Sequence, residues 1–152
     1  MKQLLLAVLL VTASVARGQP APKPYVLPAG IKMVEKDIAY IPDGDPAQKL
    51  DVYLPEKSSE KPLPLIVHIH GGGWWAGSKF PCDVVTMVLR GYAVASIEYR
   101  FSKKAVFPAQ IQDCQAAIRW LRAHHEQYHI DPSRVGVVGG SAGGHLSALV
   151  GT

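Results

Sequence analysis

Only two cysteines, Cys82 and Cys114, occur in 152 residues. Neither has a cysteine or histidine beside it at ligand spacing, so the pair is not a metal site, and no cofactor is expected. Clusters of one charge sign are also lacking. Sixteen basic side chains face 12 acidic ones, and two of the basic ones, Lys2 and Arg17, sit in a first stretch of 18 residues that has no acid; the rest carries a net +2. Nucleic-acid binders concentrate positive charge on one face, so nucleic acid is not an expected partner. Beyond residue 18 no apolar run approaches the ~20 residues of a bilayer span. With 48% apolar and 18% charged residues, the composition excludes a disordered chain and fits one ordinary domain.

What is present begins with a leader. Met1 and Lys2 give a positive start, Leu4 to Val15 is apolar apart from Thr12, Ala13 and Ser14, and Ala16 and Gly18 are small. Residues 1–18 therefore read as a secretory signal peptide, and the mature protein as secreted or periplasmic. No cysteine near the cleavage region offers a lipid anchor, so the mature chain is expected to have no membrane anchor. Residues 19–34 read as an extended lead-in, because residues 20–28 hold four prolines.

The folded unit is expected over residues 35–152. Asp37 to Ile41 and Leu50 to Leu54 read as strands around a turn-rich loop. Leu65 to His70 is a nearly continuous apolar run, as in a strand buried on both faces. Cys82 to Arg90 reads as a helix stopped by Gly91, and Tyr92 to Tyr99 as a strand. From Pro108 onward, Ile111, Cys114, Ile118 and Leu121 recur at helical spacing. Asp131-Pro132-Ser133 predicts a turn, Val135 to Val138 a strand, and Ala142 onward a helix. Alternating strands and helices define an α/β fold with a mostly parallel sheet flanked by helices.

Two glycine-rich strand ends carry the chemistry. In Gly139-Gly140-Ser141-Ala142-Gly143 a strand must reverse into a helix within a few residues, which lifts the serine hydroxyl clear of the sheet. Gly139 and Gly143 leave room for the close approach, and the Ala142 amide at the helix start can face a developing oxyanion. In His70-Gly71-Gly72-Gly73-Trp74, backbone amides can turn inward with no side chain in the way.

HGGGWWAGSK (70–79), LDVYLP (50–55), FPAQIQDCQAAIRWLR (107–122) and DPSRVGVVGGSAGGHLSALV (131–150) resemble the α/β-hydrolase esterases of the hormone-sensitive-lipase and acetyl or feruloyl esterase type. The resemblance implies an α/β-hydrolase fold and a carboxylic-ester hydrolase acting through an acyl-enzyme. Ser141 would be the nucleophile, Gly72, Gly73 and Ala142 the oxyanion donors, and His70, Gly71, Gly139 and Gly143 their support. The substrate would be a small-molecule or carbohydrate-linked ester, such as an acetyl or feruloyl ester. Many relatives carry an acid where Gly140 stands and an asparagine where His145 stands. The family topology also puts Cys82 and Cys114 on opposite faces of the sheet, so two free thiols are expected.

In this fold a triad acid and then a histidine follow the serine. Here eleven residues follow Ser141, with no acid and one histidine, His145. His145 sits one helical turn from the serine and reads as a polar residue packed under it. The expectation is an N-terminal part of the domain, incomplete at its C-terminus, inactive by itself and exposing an apolar sheet edge at Val135 to Val138. A non-catalytic hydrolase-like binding module and a serine peptidase of the same fold are the alternatives. Among the remaining polar residues, His68 reads as a core histidine, and His124, His125 and His129 as favourable charge at a helix end. Glu98 and Asp113 read as partners of Arg100 or Arg119, and Asp131 as a turn cap. Trp74, Trp75 and Trp120 read as packing residues, with Trp74 placed to line an acyl pocket.

Overall fold

A computed structural model describes residues 24–152. The leader and the start of the lead-in lie outside the described residues. Five strands, β1 (Ile31–Ala39), β2 (Lys49–Pro55), β3 (Leu63–Ile69), β4 (Ala93–Ile97) and β5 (Ile130–Gly139), form one sheet in the order β1-β2-β4-β3-β5. β4, β3 and β5 run parallel, β2 pairs antiparallel with β4, and β1 pairs antiparallel with β2. Helices α1 (Ala109–Ala123) and α2 (Ala142–Val150) complete the α/β arrangement.

The continuous apolar run of β3 is explained by its place between β4 and β5. Leu65, Val67 and Ile69 face a core shared with Leu50, Val52, Ala95 and Ile97 and covered by Ile111, Cys114, Ile118, Leu121 and Leu146. Tyr53 and Val94 face the other side, under Cys82, Val85 and Val88. Cys82 and Cys114 are therefore divided by the sheet, and both are free thiols.

Three elements differ from the sequence reading. β1 starts at Ile31, six residues before the predicted run; its Lys32, Glu35 and Lys36 mask the alternation, and two register irregularities and a positive φ at Asp37 interrupt it. Charges and bulges of this kind suit an edge strand. The predicted helix over Cys82 to Arg90 is only a short 3-10 segment, Val85–Arg90, which has no side-chain cap and ends at left-handed Gly91. Lastly, β5 begins at Ile130. The predicted turn lies inside it as a bulge, where Pro64 pairs with Asp131 and Leu65 already with Val135. Asp131 Oδ1 accepts the Ser133 amide at 2.9 Å and hydroxyl at 2.6 Å, and its Oδ2 accepts Arg134 Nε at 2.6 Å. These bonds hold the Asp131 carboxyl down at about 2.

Candidate active site

β5 ends at Gly139 and α2 starts at Ala142, so the chain reverses over Gly140 and Ser141. Ser141 has φ 52° and ψ −121°, a conformation L-residues rarely adopt and one that costs about 1–3 kcal/mol. The packing beneath imposes it. A β-carbon at Gly139 would strike the Ile69 carbonyl and Gly143, and one at Gly143 would strike the Ile69 and His70 carbonyls. The turn is thus pressed onto the end of β3. At Gly140, by contrast, a β-carbon would meet nothing within 4 Å, so a side chain there is accommodated. The exposed Ser141 side chain makes no capping bond to its own helix, which leaves the hydroxyl available.

The second glycine motif lies against this turn. A β-carbon at Gly71 would be 2.9 Å from the Gly140 carbonyl oxygen and 3.6 Å from Ser141 Cβ. Gly72 (φ 117°) and Gly73 (φ 62°) both require the left-handed region. The Gly72 carbonyl accepts the Trp75 and Ala76 amides at 3.2 and 3.0 Å. Among the described residues, the Gly72 and Gly73 amides donate to no backbone carbonyl. Unengaged amides beside an exposed hydroxyl can take a negatively charged oxygen.

His70 is buried and stacked on Tyr99, with ring centroids 4.5 Å apart, and the Tyr99 hydroxyl donates to the His70 carbonyl at 3.1 Å. Its partner is Glu98, at 2.6 Å. This corrects the expected pairing of Glu98 with arginine; Asp113 does take Arg100, at 2.7 Å, and also Gln48. Sequence reasoning missed Lys79 altogether. It is buried and ion-paired at 2.7 Å to both Asp37 and the fully buried Asp51. Burial opposes its charge, but the bonds to the two carboxylates outweigh that and raise its pKa, while Lys79 holds Asp37 below the usual carboxylate range. The available signal was a single acid, Asp51, inside the otherwise apolar run Leu50 to Leu54. His68 is a core histidine as expected, 3.0 Å from the Ser96 hydroxyl, with its pKa lowered by burial.

His145 does not pack under the turn. It is exposed, donates its backbone amide to the Ser141 carbonyl at 3.0 Å, and sets its ring edge-on to Trp74 at 5.4 Å. Both residues line a cavity of about 300 Å³ with Ser102, Phe107, Gln110 and Leu146. Trp74 and Trp75 are 40% and 58% exposed, whereas Trp120 packs against the core and stacks on His124 at 3.9 Å. At the end of α1, His124 Nδ1 and His125 Nδ1 bond the Trp120 and Arg122 carbonyls. Among the described residues no group of three metal-ligating side chains is assembled. No helix among them is long and apolar enough to cross a membrane.

A serine on a strand-turn-helix beside a glycine loop is the arrangement of an α/β-hydrolase fold, and comparison with known proteins agrees. Residues 50–152 match the BD-FAE family. Esterase LipC of Mycobacterium tuberculosis is 37% identical over 110 residues, covering 70% of this chain and 27% of that protein. Carboxylesterase NlhH of the same organism is 35% identical over 133 residues, covering 84% and 40%. Among solved structures, a truncated form of a carbohydrate esterase from gut microbiota aligns with a TM-score of 0.71 at 39% identity, over 75% of this chain and 41% of that one. Esterase B from Lactobacillus rhamnosis aligns with a TM-score of 0.74 at 34% identity, over 84% and 41%. The chain belongs to the BD-FAE family of α/β-hydrolase esterases. It spans between about a quarter and two-fifths of the length of these relatives.

Proposed function

We propose that this chain carries the nucleophile and oxyanion loop of a serine carboxylic-ester hydrolase. Ser141 attacks the ester carbonyl, the oxyanion rests on the amides of Gly72, Gly73 and Ala142, and water releases the acyl-enzyme. The observation that carries this reading is the strained backbone of Ser141 pressed against Gly71, with its hydroxyl exposed and spare for chemistry.

Turnover also needs a base aligned on the hydroxyl and an acid behind it. Among the described residues none fills these roles: His145 faces Trp74, and His70 is committed to Glu98. The 152-residue chain by itself is therefore read as lacking robust activity. The half-exposed Trp74 and the apolar cavity beside it suit a short acyl group or a small alcohol, and the carbohydrate esterase among similar structures favours a carbohydrate-linked ester, with acetyl or feruloyl as the acyl group suggested by the sequence resemblance. Such a substrate fits the secretory leader read in residues 1–18 and an extracytoplasmic location. The test is hydrolysis of a short-chain aryl ester by the whole protein with and without Ser141→Ala, alongside a peptide anilide. Unchanged ester hydrolysis in the variant contradicts the reading, and preferential anilide cleavage favours a peptidase.

A further inference from the structure

The loop that bears the three glycines runs from His70 to Lys79, and one carboxylate touches both ends. Glu98 Oε1 lies 2.6 Å from His70 Nε2, and Glu98 Oε2 accepts the Lys79 amide at 3.2 Å. Strand register creates this contact. β3 pairs with β4 so that Ile69 lies beside Ile97, and the next residues, His70 and Glu98, leave the sheet side by side. Glu98 is itself fixed by its backbone: its amide donates to the Lys49 carbonyl at 2.8 Å, and its carbonyl accepts the Tyr40 hydroxyl at 2.9 Å.

The other ring nitrogen, Nδ1, lies 2.7 Å from the Gly71 carbonyl oxygen. Both nitrogens therefore face oxygen acceptors, and both bonds form only when each nitrogen carries a hydrogen. The stacked Tyr99 ring prevents the imidazole from turning away. Gly77 completes the cage, because a β-carbon there would collide with Gly71 O and His70 Nδ1. The consequence reaches the oxyanion donors through peptide planarity: the C=O of Gly71 and the N–H of Gly72 belong to one rigid plane and point in opposite directions. Tethering the carbonyl to His70 aims the Gly72 amide. By the same logic, the bonds from Trp75 and Ala76 to the Gly72 carbonyl aim the Gly73 amide.

We propose that Glu98 is the positioning residue of the oxyanion loop, holding His70 as a doubly protonated ring between its own carboxylate and the Gly71 carbonyl, and so orienting the Gly72 amide. The inference rests on the reading of residues 70–73 as an oxyanion loop, and it adds a residue 28 positions away that acts through His70 and does not touch the substrate.

The experiment is nitrogen NMR and amide hydrogen exchange on the whole protein and two variants of it. In the unsubstituted protein both His70 ring nitrogens carry protons. In Glu98→Gln the new amide still accepts from Lys79 and donates to Nε2, so the loop stays ordered while His70 loses the Nε2 proton. In Glu98→Ala neither bond survives. Exchange of the Trp75 and Ala76 amides then rises at least ~10-fold relative to β3 amides, as expected for loss of a hydrogen bond to a charged group. A singly protonated His70 ring in the unsubstituted protein overturns the proposal, as does a ring unchanged by Glu98→Gln, or Trp75 and Ala76 exchange unchanged in Glu98→Ala. If Glu98→Ala does not fold, the ring signature of Glu98→Gln decides. Neither readout requires hydrolysis, so loss of the esterase reading and loss of the Glu98 role are separate outcomes.

Discussion

Gly143 lies so close under the end of β3 that a β-carbon on it would collide with the Ile69 carbonyl. This contact, with its counterpart at Gly139, compresses the turn that presents Ser141. Gly143→Ala must displace backbone and not a flexible side chain, so destabilisation of about 1–3 kcal/mol is expected. Gly140→Asp points into open space and should fall within about 0.5 kcal/mol of the unsubstituted chain. Urea unfolding of the two variants side by side checks both, and equal effects would contradict the packing argument.

Lys79 neutralises Asp51, whose carboxylate is fully buried. Lys79→Met leaves a fully buried carboxylate without its cation, for which a loss of about 3–5 kcal/mol is expected. Replacing the pair together, as Lys79→Met with Asp51→Leu, should recover much of that loss, because the uncompensated charge goes with it. A denaturation midpoint for Lys79→Met close to that of the unsubstituted chain would count against a structural role for the pair.

The two thiols predict how stability changes at alkaline pH. Burial raises Cys82 to about 11 and Cys114 to about 12 from an ordinary 9.0. The native state keeps protons that the unfolded state releases, so this contribution is intact below pH 9 and declines as pH rises toward 11, by at most ~1.4 kcal/mol per pH unit for each group. Tyr53 and Tyr99, raised mainly by burial, act in the same direction. Urea unfolding between pH 8 and 10 should show falling stability, with a shallower slope in Cys114→Ala. Thiol titration of the unfolded, non-reduced chain should find two free thiols.

β5 ends the described sheet on the side away from β1, with Val138 39% exposed. An apolar edge invites pairing with another chain. The 152-residue chain is expected to self-associate at micromolar concentrations, and Val138→Lys to shift sedimentation toward monomer. A cooperative, soluble monomer without the substitution would contradict this.

The parts legible in the sequence were those set by local backbone need. Gly139, Gly143 and the loop glycines announce a sharp turn because no other residue fits, and the β3 apolar run announces a strand enclosed on both faces. What escaped depends on register and distance. Glu98 meets His70 only because β3 and β4 align Ile69 with Ile97, and Lys79 finds Asp37 and Asp51 across the sheet. Only the end of β1 is legible, because its charged edge residues interrupt the alternation that marks a half-buried strand.

The central claim, that Ser141 is the nucleophile, is tested most directly by aryl-ester hydrolysis of the whole protein carrying Ser141→Ala. Loss of the serine in comparable hydrolases costs on the order of 10⁶ in kcat, so hydrolysis should fall to near background while the fold persists. Ester hydrolysis at the unsubstituted rate would contradict the account.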